Sequence, residues 1–330
     1  VHQLRVGLAA GAQRAIIANQ LVSDADLDGL DFLLNQHPQA RVWFLVDSLA
    51  QLDALADWGA RRNKARCWDV LLELGIAGYR TGCRTHEQAL LLAQAMAASP
   101  VARLGGVECY EGGLGRCDSA HDIEAVSALV RNVHALVQQL DAQNLWGGDE
   151  VLLSAGGSAV FDLVIPMLQL QVKSRPVQGV LRSGCYVTHD HWNYARYLKL
   201  VEAREGLSAS LQPALEVWAK VQSVPEPGLA ILSAGRRDLS FDQCMPMPVR
   251  WAARGQSGEG AMQATPESWK VKALSDQHAH MVFDPEGVWP QVGDRVALGI
   301  SHPCTTFDKW RWMAVIEDDG RISGAISTHF

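Results

Sequence analysis

An imidazole and a thiol stand two residues apart in His302-Pro303-Cys304, just after the apolar run 296–300. Both groups are good zinc ligands, and both must be deprotonated to bind. On an extended chain, positions two apart share a face, so the pair could reach one ion. Two protein ligands leave coordination positions open, which suits a catalytic metal more than a structural one. Read alone, Cys304 is equally a small buried hydrophobe. Asp276, His278 and His280 form a second polar cluster on a run expected to be extended. Of these, His278 is the candidate for a substrate contact or for support behind the metal, set against an ordinary core histidine.

Small residues gather at other points. Ser154-Ala155-Gly156-Gly157-Ser158 joins a strand-like run to a helix-like one. Such a turn lets a ligand approach the backbone, and free N–H groups at a helix start suit a phosphate. The bland alternative is a tight strand-to-helix turn. Arg182-Ser183-Gly184-Cys185-Tyr186 ends the next run in the same manner. Two adjacent strands ending this way would frame one phosphate, as the last strands of barrels do. No lysine follows in Walker fashion and no GxGxxG is present, so neither a mononucleotide loop nor a dinucleotide fingerprint is read here. In Gly78-Tyr79-Arg80-Thr81-Gly82 the planar fork of Arg80 could orient a carboxylate or a ring oxygen, or be an ordinary loop arginine.

The elements that must position these groups alternate. Short β-rich runs at 15–18, 42–46, 70–74, 104–109, 151–154 and 179–182 are separated by helical patterns such as 85–96 and 121–140. That spacing predicts parallel strands joined by helical crossovers, and the almost continuously apolar runs predict burial on both faces. Six such units would suffice for a doubly wound sheet; a (β/α)8 barrel needs two more, which would have to precede Val1. Either fold gathers function at the C-terminal strand ends. From about residue 205 the pattern becomes β with Gly and Pro turns, with runs at 215–222, 229–232, 247–251, 269–274, 280–283, 295–300, 312–316 and 321–326. A two-domain chain is expected, 1–204 and 205–330, with a glycine-rich surface loop at 255–264.

A net charge of -7 without a basic stripe gives no support for a nucleic-acid partner. No apolar run is long enough to span a membrane. Seven cysteines, an odd number without a CxxC pair, read as reduced thiols in a cytoplasmic protein.

Taken together, these motifs resemble the D-serine dehydratase / D-threonine aldolase family, in its bacterial D-serine deaminase-like branch. Further residues carry the likeness: Arg14-Ala15-Ile16-Ile17-Ala18-Asn19-Gln20, Gly106-Val107-Glu108-Cys109-Tyr110-Glu111-Gly112, Ala234-Gly235-Arg236-Arg237, Asp276-Gln277-His278, and above all Ser301-His302-Pro303-Cys304-Thr305-Thr306-Phe307-Asp308-Lys309-Trp310. The resemblance implies an α/β fold: a pyridoxal-phosphate-binding (β/α)8 TIM-type barrel of the alanine racemase N-terminal kind, here lacking its first strands, followed by a mostly β domain. It implies pyridoxal 5'-phosphate near Asn19, Arg80, Tyr110, Gly157, Ser158, Gly184, Cys185 and Tyr186, with zinc on His302 and Cys304. Arg80, Tyr110 and His278 are the catalytic candidates. The family's Schiff-base lysine ends its first barrel strand; no such motif occurs here, and the lysine is expected upstream of Val1. The implied reaction is dehydration of D-serine, or a related D-3-hydroxy amino acid, to a 2-oxo acid and ammonia, by a homodimer. D-threonine aldolase and 3-hydroxyaspartate dehydratase or aldolase activities are the alternatives, followed by an amino-acid racemase and an inactive cofactor-binding protein.

Overall fold

The apolar runs of the first half form one parallel sheet. The computed structural model describes residues 1–256 and 261–329, in two compact units, Val1–Ser183 and Gly184–Phe330. In the first unit, α1 (His2–Ala9), β1 (Arg14–Gln20), α2 (Asp24–Gln36), β2 (Arg41–Val46), α3 (Leu49–Arg62) and β3 (Trp68–Leu74) follow one another. They are succeeded by α4 (His86–Ala98), β4 (Ala102–Cys109), α5 (Ser119–Ala142), β5 (Val151–Ala155), α6 (Ile165–Leu168) and β6 (Val177–Leu181). The strands lie in sequential order, β1 to β6, each parallel to the next. A doubly wound sheet must reverse its order at a switch point. This order never reverses, so the winding is that of a (β/α) barrel.

Local chemistry sets the helix starts. The Ser23 and Thr85 hydroxyls accept from the N–H groups of Asp26 and Gln88, and the Asp118 carboxylate accepts from Ala120 and His121. One sheet face carries Trp43, Leu45, Leu71 and Leu152, with Ile16 and Val180 against them. Strands β2 to β5 are buried nearly throughout, whereas β1 and β6, the sheet's edges, are partly exposed.

The second unit begins earlier than the change of pattern near residue 205. The segment 184–204 belongs to it because its polar backbone is satisfied there. Asp190 accepts from the N–H groups of Trp192, Tyr194 and Ala195, His191 N–H donates to Ile300 O, and Thr188 O accepts from Ala214. After α7 (Asn193–Glu205) come β7 (Glu216–Glu226), β8 (Leu229–Leu232), β9 (Met247–Ala252), β10 (Gln263–Ala264), β11 (Lys270–Leu274), β12 (Ala279–Val282) and β13 (Arg295–Gly299). The unit closes with α8 (Pro303–Phe307), β14 (Trp312–Ile316) and β15 (Ile322–Ser327). Seven strands form an antiparallel sheet in the order β10-β9-β13-β7-β8-β12-β11, and β14-β15 is a separate hairpin. The core includes Val217, Ala219, Val221, Leu232, Met281 and Val296. Residues 257–260 of the expected glycine-rich loop lie outside the described residues; residues 263–264 instead pair with β9.

Candidate functional site

In the first unit, polar side chains collect at the C-terminal ends of the strands. Gln20, the last residue of β1, donates its amide to Glu73 on β3, and the Thr81 hydroxyl donates to the other Glu73 oxygen at 2.8 Å. The Gly78–Gly82 loop is held to the sheet by the Gly82 N–H, which donates to Asp47 Oδ2 at 2.7 Å. Arg182, just past β6, donates to Ser154 Oγ (2.9 Å), to Cys109 O (2.9 Å) and to Glu108 Oε1. The other Glu108 oxygen is buried without a hydrogen-bond partner. Burial pushes the Glu108 carboxyl up to about 7; Arg182 opposes the rise, and Glu73 and Glu111 add to it. Glu108 therefore holds a proton through much of the range below neutrality.

Three predicted residues come together here. The Arg80 guanidinium lies 4.2 Å from the centroid of the Tyr110 ring. A Cβ on Gly157 would stand 2.9 Å from Gly112 Cα and 3.2 Å from the Tyr110 ring, so the turn after β5 packs tightly against the tyrosine. The expectation of free N–H groups at that turn is corrected. Gly156 and Gly157 both donate to the buried carboxylate of Glu111, at 3.0 and 2.6 Å. The chain itself supplies the acceptor at this turn; burial pushes the Glu111 carboxyl up, and the two N–H groups oppose the rise. Ser158 is half-buried beside it. Asn19 is exposed, and its side-chain oxygen accepts from the next N–H. Lys64, in the loop after α3, is paired with Asp31 of α2 rather than placed at the C-terminal strand ends.

A second cluster lies in the second unit. His302 and Cys304 are not on an extended run. His302 is the N-cap of α8, with Pro303 at its first turn and Cys304 within it. Proline is favoured there because its missing N–H has no helical partner to lose. The segment after β8 braces this turn: the Ser240 hydroxyl accepts from His302 N–H, and Ser240 N–H donates to Thr306 Oγ1. Asp242 Oδ2 lies 2.6 Å from His302 Nδ1, and its other oxygen accepts from the Thr305 hydroxyl at 3.1 Å. Burial would raise the Asp242 pKa, but the hydrogen bond and charge of His302 outweigh it and hold the carboxyl below its ordinary value. An ionised carboxylate only accepts, so Nδ1 carries the hydrogen, and it is the neutral ring that presents its Nε2 lone pair to an ion. This is how a carboxylate orients a metal-binding imidazole.

The Cys304 thiol is exposed and lies 3.6 Å from the buried Cys185 thiol; their hydrogen bond, with partial burial, raises the Cys304 pKa. Gly184 and Tyr186 flank Cys185 on exposed backbone. His278 sits in the turn between β11 and β12, its carbonyl accepting from Ser275 N–H. The predicted 234–237 and 276–278 motifs do meet: Arg236 and Arg237 N–H donate to the carbonyls of Ser275 and Asp276. Among the described residues, no three His, Cys, Asp or Glu side chains converge on one point. Sequence reasoning missed Glu108, Glu111 and Arg182 as site groups, and Asp242 altogether.

This geometry defines an α/β unit of barrel winding with a polar cluster at its strand ends, followed by an antiparallel β unit bearing a carboxylate-backed imidazole and paired thiols. Residues 214–316 match the family model described as "Putative serine dehydratase domain". Three solved structures share the fold. D-threonine aldolase from Filomicrobium marinum is 22% identical with a TM-score of 0.72, over 96% of this chain and 76% of that one. D-threo-3-hydroxyaspartate dehydratase from Delftia sp. HT23 is 20% identical with a TM-score of 0.70, over 99% and 82%. An alanine racemase-like protein from Idiomarina loihiensis is 16% identical with a TM-score of 0.72, over 100% and 81%. No curated protein sequence matches. The resemblance is thereby borne out in a serine dehydratase domain over 214–316 and in the alanine racemase-type fold.

Proposed function

We propose that the protein is a pyridoxal-phosphate-dependent, zinc-assisted ammonia-lyase that converts D-serine, or a related D-3-hydroxy amino acid, to a 2-oxo acid and ammonia. The observation that carries this reading is the serine dehydratase domain match over 214–316, the stretch that contains Asp242, His302 and Cys304. The donor chemistry fits zinc: a thiol, and an imidazole whose Nδ1 is already occupied by Asp242. The strand-end cluster fits the organic cofactor in its aromatic wall and in the partnerless oxygen of Glu108. Bound there, pyridoxal phosphate supplies an electron sink for charge at the α-carbon, and zinc supplies a Lewis acid for the β-hydroxyl.

The chain's own residues do the rest. Tyr110 and Arg80 form a flat wall against which a ring and a carboxylate can be oriented. Glu108, held by Arg182 and raised to about 7, can carry a proton at its free oxygen and exchange it with a ring or substrate atom. Ser158, half-buried after the glycine turn, offers a hydroxyl to the cofactor's phosphate. Asp242 fixes the His302 tautomer for the metal.

A second reading, D-threonine aldolase or 3-hydroxyaspartate dehydratase, has support from the names of the two enzymes that share the fold. Product analysis separates the readings. D-serine should give pyruvate and ammonia; glycine plus an aldehyde from D-threonine, or oxaloacetate from 3-hydroxyaspartate, with no pyruvate from D-serine, would replace the first reading with the second.

A further inference from the structure

We propose that Cys185 is a further protein ligand to the divalent ion, joining His302 and Cys304 in a set of two thiolates and one imidazole. The inference rests on the reading of His302 and Cys304 as metal ligands. Its starting observation is a distance: the Cys185 and Cys304 sulfurs lie 3.6 Å apart. A disulfide closes to about 2.05 Å, so the two are not bonded. Two thiolates, each about 2.3 Å from one tetrahedral zinc, stand about 3.8 Å apart. The fold thus holds the sulfurs within a few tenths of an ångström of the spacing that one zinc imposes.

The two thiols come from separate places in the second unit. Cys185 opens a single helical turn, Cys185–Val187, and is buried; Cys304 lies in α8 and is exposed. One ligand thus closes the inner side of the ion, and the other borders solvent, from which a substrate hydroxyl can arrive. Asp242 occupies Nδ1 of His302, and Nε2 remains for the ion. As placed, no three donors among the described residues converge. The thiol pair takes the ion first, and a joint shift of the His302 ring and the Asp242 carboxylate, their hydrogen bond kept, brings in the third donor. Three protein ligands and one open position is the usual arrangement of catalytic zinc, and two cysteines with one histidine is a known version of it.

Cobalt(II) in place of zinc tests the proposal without reference to catalysis. Thiolate-to-cobalt charge-transfer absorption scales with the number of coordinated sulfurs. The full chain loaded with cobalt should lose about half that absorption per bound ion in Cys185→Ser, and about half in Cys304→Ser, as one sulfur of two is removed in each. X-ray absorption on the unsubstituted zinc protein counts sulfurs directly, guarding against a misfolded variant: two are expected. One sulfur per zinc, or equal absorption in Cys185→Ser and the unsubstituted chain, would overturn the role of Cys185 and leave His302 and Cys304 standing. No cobalt or zinc bound by the unsubstituted chain would overturn both.

Discussion

At the scale of single residues, two carboxylates behave in opposite ways, and each has a measurable consequence. Glu108 is 2% exposed and its pKa is raised to about 7 by burial. Folding then binds a proton that the unfolded chain, with an ordinary glutamate pKa near 4.3, does not hold over the interval between the two values. The native state is favoured below that interval and loses stability as pH rises through it. Glu108→Gln should abolish this loss: its melting temperature should rise relative to the unsubstituted protein between pH 5 and pH 8, by the equivalent of roughly 3 kcal/mol at most. A pH-independent difference would assign the effect to packing. Asp242 acts through His302. Asp242→Ala leaves Nδ1 without its acceptor and should weaken zinc affinity by roughly 10–100-fold, read by competition with a chromophoric chelator. An unchanged affinity would show that the carboxylate does not orient the imidazole.

At the scale of elements, the strand-to-helix turns carry the site. Gly156 has φ of +108°, and a Cβ there would meet Leu181 Cδ1 at 2.3 Å. Gly156→Ala should therefore cost about 2 kcal/mol or more in urea unfolding, with the m-value unchanged. Parallel strands were legible because strands covered on both faces are written as continuous apolar runs, as in Val42 to Val46 or Val70 to Leu72. Their order was not legible, because six strands and their crossovers suit two windings and only the pairing of neighbours separates them. The geometry of His302 and Cys304 was misjudged: Pro303 was taken within an extended run, yet it starts α8. The partner of His302 lies 60 positions away, and no local pattern announces Asp242. For the same reason the Glu111 carboxyl, 45 positions from Gly156, was not foreseen as the acceptor at the glycine turn.

At the scale of the molecule, the C-terminal hairpin draws the next test. Its side chains are exposed throughout β15, and Trp312, Ile322 and Ile326 are each more than half exposed. An isolated two-stranded hairpin is marginal in water. We propose that the homodimer implied by the family resemblance pairs through this hairpin; sedimentation should show a dimer at micromolar concentration that Ile322→Asp dissociates, and a monomeric unsubstituted protein would contradict it. Among the described residues, no helix is long and apolar enough to cross a membrane.

The most direct measurement of the proposed function is pyruvate release from saturating D-serine by the holoenzyme, before and after chelation and again after zinc is restored. The expected result is release that falls on chelation and returns with zinc. Absence of pyruvate with both pyridoxal phosphate and zinc confirmed bound would contradict the D-serine dehydratase reading.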